Sequence, residues 1–125
     1  MPVVRAHEIP KFQVDGICVW SLATASRGAV EVMLWRNRIE PGSAFPAAKR
    51  DHEEVVAVLG GSGTLREREL ALPFSAGDVL IVPAGALCQI VPAEDGQPFE
   101  CLMAMPLATR HFTSAGDVMR IPWTD

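Results

Sequence analysis

The amino-acid sequence predicts an all-β fold, and three observations predict it. Ten prolines and ten glycines cut the chain into short pieces. The pieces are rich in β-branched and other apolar residues. Turn-forming clusters recur between them: "SRG", "EPGSAFP", "GGSG", "SAGD", "PAG" and "EDGQP". Short strands broken by regular turns build a β-sandwich or barrel. Only a faint helical period over residues 3–11 runs against this pattern.

Each strand follows from its own stretch. Residues 17–22 (ICVWSL) and 30–39 (VEVMLWRNRI) are apolar runs separated by "SRG". Residues 54–59 (EVVAVL) and 63–69 (GTLRERE) flank a glycine-rich turn, where Gly61 and Gly63 are expected to take positive φ angles. Residues 79–82 (VLIV) begin after "SAGD", whose Asp78 can bind nearby amides. They end at Pro83, which cannot donate to a β-ladder, and Gly85 allows the bend that follows. Residues 88–91 (CQIV) and 99–107 (FECLMAMPL) supply the last two strands.

Alternation orients these strands. In "EVVAVLG", Glu54, Val56 and Val58 share one face while Val55, Ala57 and Leu59 share the other. Both faces are apolar, as they are in "DVLIVP" and "CLMAM". Strands of that kind are covered on both sides. A homodimer is the expected cover, with packed terminal segments as the other solution. The 125 residues fit one domain, with a barrel core over about residues 30–107 and terminal segments lying on the barrel or on a partner.

Composition excludes several function classes. An apolar content of 49% is too high for a disordered chain, and no apolar run nears the ~20 residues that span a bilayer. The first residues, "MPVVRAHEIPKF", interrupt their apolar positions with Arg5, His7, Glu8 and Pro10, unlike a signal peptide, so a cytoplasmic location is expected. Three cysteines without CxxC spacing read as reduced thiols. A formal charge of −4 and only two lysines leave no basic run to hold a phosphate backbone, so nucleic acid is not an expected partner.

Two stretches carry a more specific signal, "PGSAFPAAKRDHEEVVAVLGGSG" and "GDVLIVPAGALCQIVP". Gly42, Glu54 and Gly61 in the first, with Gly77, Pro83 and Gly85 in the second, follow the two motifs G-x5-H-x-H-x3,4-E-x6-G and G-x5-P-x-G-x2-H-x3-N. On these residues the chain resembles the cupin superfamily. That resemblance implies a double-stranded β-helix, or jelly-roll, barrel. It also implies where a metal would be held in the family: aligned on Glu54 and Gly61, the two histidine positions fall on Ala48 and Arg50, the third on Cys88 and the asparagine on Pro92. Glu54 alone is retained. A first-row metal needs three or four N, O or S donors, and an arginine cannot ligate.

Several roles stay open for the side chains around these positions. Arg50 can stand in for the lost ion and pair with Glu54, or hold a ligand's carboxylate or phosphate, or lie on a solvated charged edge. His52 sits two residues from both Arg50 and Glu54, so an extended strand would face it the same way, yet an exposed or hydrogen-bonded His52 is the expected reading, and a Glu54, His52 and Cys88 set is the best metal alternative. Cys88 is a small core hydrophobe unless a cation such as Arg50 activates its thiol. Trp35, Met33, Met103 and Met105 pack in the core or line a cavity. His7 and His111 can reach the site only through the fold. The expected function is therefore metal-independent binding of an anionic or polar small molecule in an apolar pocket built from Arg50, Glu54, Cys88, His52, Trp35 and Met103, with no cofactor and no assigned catalytic residue. A metal-dependent dioxygenase or isomerase with an irregular site is one alternative, and a regulatory or structural partner protein is the other.

Overall fold

The computed structural model describes residues 1–125. Eleven strands follow in chain order: β1 (Lys11–Val14), β2 (Ile17–Ala23), β3 (Val32–Ile39), β4 (Lys49–Arg50), β5 (Glu54–Gly60), β6 (Ser62–Glu67), β7 (Leu70–Ser75), β8 (Val79–Val82), β9 (Cys88–Pro92), β10 (Phe99–Pro106) and β11 (His111–Phe112). A six-stranded sheet has the order β1-β2-β3-β10-β5-β8, a second sheet the order β7-β6-β9, and β11 pairs with β4. Every pairing is antiparallel. This is the cupin jelly-roll barrel that the two motifs imply.

Strict period-2 burial builds the interior. On β10, Phe99, Cys101, Met103 and Met105 point inward, and on β3 so do Met33, Trp35, Asn37 and Ile39. Glu54, Val56 and Val58 are the inner face of β5, as the alternation predicts. Phe74 from the smaller sheet meets Phe99 across the barrel with ring centres 5.5 Å apart, and both belong to the continuous apolar core.

The glycine framework holds, with one change of reason. Gly61 has φ +78, and a Cβ there would come within 2.6 Å of the Pro98 carbonyl oxygen. Gly63 does not take the expected positive φ. It is required by space, because a Cβ would approach the Val91 carbonyl oxygen to 2.5 Å and Phe74 to 2.8 Å. Asp78 accepts a hydrogen bond from the Ser75 amide at 2.8 Å, closing the turn before β8.

Four strands lie outside the runs read from sequence. Residues 3–11 hold only a short 3-10 turn, Ala6–Glu8, and lead into β1, which extends the large sheet. With β1 and β2 inside it, that sheet begins at Lys11 rather than near residue 30. β7 was hidden because Leu70–Ser75 is mostly exposed and contains Pro73, tolerated on an edge strand. β4 and β11 are two-residue strands, too short for any period to show.

The outer face of the large sheet is not covered within the chain. Leu34, Ala104, Val55 and Ile81 lie in one cross-strand row, and Leu102, Ala57 and Val79 in the next. At the edge strand β8, Val79 is 57% and Ile81 62% exposed. β1 extends the opposite edge of the sheet, and Met119, Arg120, Ile121 and Trp123 of the C-terminal segment line the cavity inside the barrel.

Candidate functional site

A cavity of about 320 Å³ opens between the two sheets. Its walls are mainly apolar, with Trp35, Met103, Phe45, Ile90 and Trp123 among them. The volume falls at the lower limit of small-molecule pockets. The aromatic wall is continuous: Trp123 meets Trp35 edge-on at 5.9 Å and packs on Phe45 at 6.0 Å.

Three chain segments bring polar groups to this cavity. Ala48 and Cys88 form a two-way backbone bridge, at 2.9 and 3.0 Å. Arg50 pairs with His111 across the β4–β11 ladder. The Gly85 amide donates to the Arg50 carbonyl at 2.8 Å, and Gly85 takes φ +83, so the second motif's glycine anchors the first motif's arginine. Two of the family's histidine positions, occupied here by Ala48 and Cys88, are thus direct neighbours across a ladder.

Arg50 points inward and is 8% exposed, beside Glu54 at 2%. Its Nε lies 3.3 Å from Glu54 Oε2, an ion-pair distance, although the N–H is not aligned to donate. On the other side of the carboxylate, His111 Nε2 lies 3.6 Å from Oε1, and its ring packs on Trp35 at 5.8 Å. The sealed polar atoms that lack a partner are Arg27 Nε, Trp35 Nε1, Asn37 Oδ1, Arg50 Nε, Thr109 Oγ1 and Trp123 Nε1. The terminal nitrogens of Arg50, the oxygens of Glu54 and the ring nitrogens of His111 are not among these. They have no hydrogen-bond partner either, so they keep contact with open space in residues that line the cavity.

His52 does not belong to this group. The expectation that it shares a face with Arg50 and Glu54 assumed a continuous strand, and the chain bends over residues 51–53. The bend is fastened by Asp51, whose Oδ1 accepts from the Arg110 amide at 2.8 Å and whose Oδ2 accepts from Arg110 Nε at 3.2 Å. His52 Nδ1 bonds Asp51 Oδ1 at 2.8 Å and its side chain is 41% exposed. The same bend lets Arg50 and Glu54, four residues apart, converge. The Arg110 amide, with the side chains of His52 and Arg110 adding to it, holds the Asp51 carboxyl down to about 2.

The other predicted residues divide. Cys88, Trp35 and Met103 line the cavity, while Met33 and Met105 are buried in the core away from it. Burial pushes the Cys88 thiol up, more than the Arg50 guanidinium pulls it down, and its Sγ turns toward Glu67 Oε2 at 3.8 Å. Burial pushes Cys101 up to about 12. Neither is an activated thiol. Sequence reasoning missed Phe45, Ile90, Trp123 and His111 as cavity residues; no local pattern marks them as such, because a loop, β9, β11 and the C-terminal turn bring them together only through the fold.

The residues present do not fit the metal that the fold family implies. No three His, Cys, Asp or Glu side chains come close enough together to hold an ion. With His52 turned away, the Glu54, His52 and Cys88 set is dispersed, and a guanidinium stands against the one retained carboxylate.

Comparison with known proteins places this barrel. The family model for auxin binding protein matches residues 2–94. The chain belongs to the auxin-binding protein family. The matched residues take in Arg50, Glu54 and Cys88 and stop before β10, β11 and Trp123. No curated protein sequence matches the chain. Among solved structures, this family member is similar to the polyketide cyclase RemF of Streptomyces resistomycificus, with a TM-score of 0.73 and 20% identity over 85% of this chain and 79% of that one. It is also similar to a cupin-superfamily sugar phosphate isomerase of Silicibacter pomeroyi, with a TM-score of 0.72 and 17% identity over 95% and 92%. Identities this low establish the cupin fold that they share. No helix is long and apolar enough to cross a membrane.

Proposed function

We propose that this protein binds a small organic anion in the cavity without a metal ion. Arg50 supplies the positive charge, and the apolar walls receive the rest of the ligand. The family's description as auxin binding supports small-molecule binding. The observation that carries the reading is the posture of Arg50: its Nε lies at ion-pair distance from Glu54 while both terminal amino groups make no hydrogen bond and face an apolar cavity. A planar fork of donors in a low-dielectric wall matches a carboxylate, and such charge-assisted bonds are about twice as strong as neutral ones. Arg50 and a divalent ion compete for Glu54. At about 4 Å an ion and a guanidinium repel by about 4 kcal/mol per unit of charge at an effective dielectric of 20.

Isothermal titration tests the reading with benzoate, hexanoate and indole-3-acetate against their primary amides. At least one acid binds tenfold or more tightly than its amide, and Arg50→Gln removes that preference, about 1.4 kcal/mol. Titrating zinc, nickel and manganese gives no stoichiometric binding in the wild type. Joint Ala48→His, Arg50→His and Cys88→His substitution creates it. Equal affinity for acids and amides, or one-to-one metal binding lost in Glu54→Gln, would overturn the proposal.

The same reading includes a homodimer built on the outer face of the large sheet, where Val79 and Ile81 lie open on the edge strand. Sedimentation equilibrium then gives a mass near twice 13.5 kDa, and Ile81→Lys returns it to the monomer value.

A further inference from the structure

His111 has no part in the metal motifs of the fold and lies outside the residues matched by the family model. Yet it is 6% exposed, lines the cavity, faces Glu54 and pairs with Arg50 across a two-stranded ladder. Its Nδ1 makes no hydrogen bond and is not sealed. A buried imidazole backed by a carboxylate, beside a guanidinium with free donors, is an arrangement suited to proton transfer at carbon. The 3.6 Å separation from Glu54 is longer than a hydrogen bond, as such contacts often are before a ligand closes the site.

The geometry points to a proton-transfer activity of the isomerase type, in which His111 is the base and a 2-oxo acid with an apolar substituent is the substrate. This rests on the anion-binding reading above. A 2-oxo acid presents one carboxylate oxygen and the keto oxygen side by side, a spacing that the two terminal amino groups of Arg50 span. His111 removes a proton from the carbon next to the keto group. The C–H electron pair becomes the new C=C bond, and the carbonyl π pair moves onto oxygen, where Arg50 meets the developing charge. The imidazolium formed faces Glu54. It exchanges that proton with solvent water and delivers one to the oxygen, giving the enol, or to the same carbon. Nothing is oxidised or reduced, and no co-reactant is consumed.

Phenylpyruvate in D2O is the probe, with loss of its C3 proton signal followed by NMR and binding followed by tryptophan fluorescence. The wild type binds it and exchanges the C3 protons at least 100-fold faster than the buffer does, the lower end of general-base effects. His111→Gln still binds but exchanges at the buffer rate; His111→Phe, which keeps a ring on Trp35, replaces it if the glutamine variant does not fold. His52→Ala, which removes the exposed imidazole, leaves the rate unchanged. Glu54 acts as a positioning residue, so Glu54→Gln lowers kcat for exchange more than tenfold without raising KM, and a rise in KM alone would overturn that role. Binding without exchange, or exchange that survives loss of His111, overturns the catalytic assignment while leaving the anion site standing. No binding of phenylpyruvate by the wild type, when benzoate or hexanoate does bind, overturns the assigned substrate. No binding of any carboxylate overturns both.

Discussion

The inner face of one strand, β5, joins two regions of unlike character. At Val58 it enters the packed region, where Phe74, Phe99 and Cys101 belong to the continuous apolar core and backbone crowds the turn at Gly61. At Glu54 it meets the cavity, where a carboxylate, a guanidinium and an imidazole are all nearly inaccessible from outside yet incompletely paired. The packed region is almost wholly apolar, its buried polar exception being Asn37, whose Nδ2 donates to Cys101 Sγ while Oδ1 lacks a partner. The cavity region carries buried charge, which costs free energy unless it is paired, and an ion pair in place of apolar packing is weak as a source of stability. That contrast is the ground on which the cavity region is proposed as the binding site.

Phe99→Ala tests the contrast hardest. Phe99 is fully buried against Phe74, so its truncation costs about 3–5 kcal/mol in denaturant unfolding. Carboxylate affinity in the protein that remains folded stays within twofold. A parallel loss of affinity would show that the two regions are not separable.

The two motif glycines sharpen it further. Both have positive φ, but only Gly61 is crowded by backbone, while a Cβ at Gly85 meets nothing within 4 Å. Gly85→Ala therefore costs about 1–3 kcal/mol through backbone strain alone. Gly61→Ala costs more, because the Pro98 carbonyl must move. Equal losses in thermal unfolding would mean that the packed region yields as easily as the loop beside Arg50.

The smallest effect concerns the bend that aims Arg50. Asp51 is held down to about 2 in the folded protein, against the usual carboxylate value near 3.9 unfolded. A depressed folded pKa stabilises the protein fully above the unfolded value, and that contribution is lost as pH falls toward the folded one. Asp51→Asn thus lowers the melting temperature at pH 5–7, and the gap from wild type closes between about pH 4 and 2. A constant gap across that range would assign the loss to hydrogen bonding rather than to charge.

Much of the barrel was legible in the chain because its cues are local. Period-2 burial marked β3, β5 and β10, and the proline and glycine punctuation marked the turns around β8 and β9. β7 escaped because it is an exposed edge, and β4 and β11 because two residues show no period. At the site, the alignment of the two motifs pointed to Arg50, Glu54 and Cys88, which line the cavity; His52 is exposed and hydrogen-bonded, as expected, while its place in the pocket, argued from strand alternation, is lost because the chain bends between Arg50 and Glu54.

By itself, then, the sequence determined an all-β barrel, since alternation and turn residues are written in neighbours along the chain; its resemblance to the cupin motifs implied where the family's histidine positions fall and that Glu54 is retained. Only the tertiary structure decided that Arg50 turns inward, that His52 turns out and that His111 and Trp123 arrive from the C-terminal segment. The physical reason is that these outcomes depend on long-range pairings. β4 meets β11 across some sixty residues of chain, and the Gly85 amide holds the Arg50 carbonyl. No local pattern encodes such contacts; they exist only once the sheets have closed.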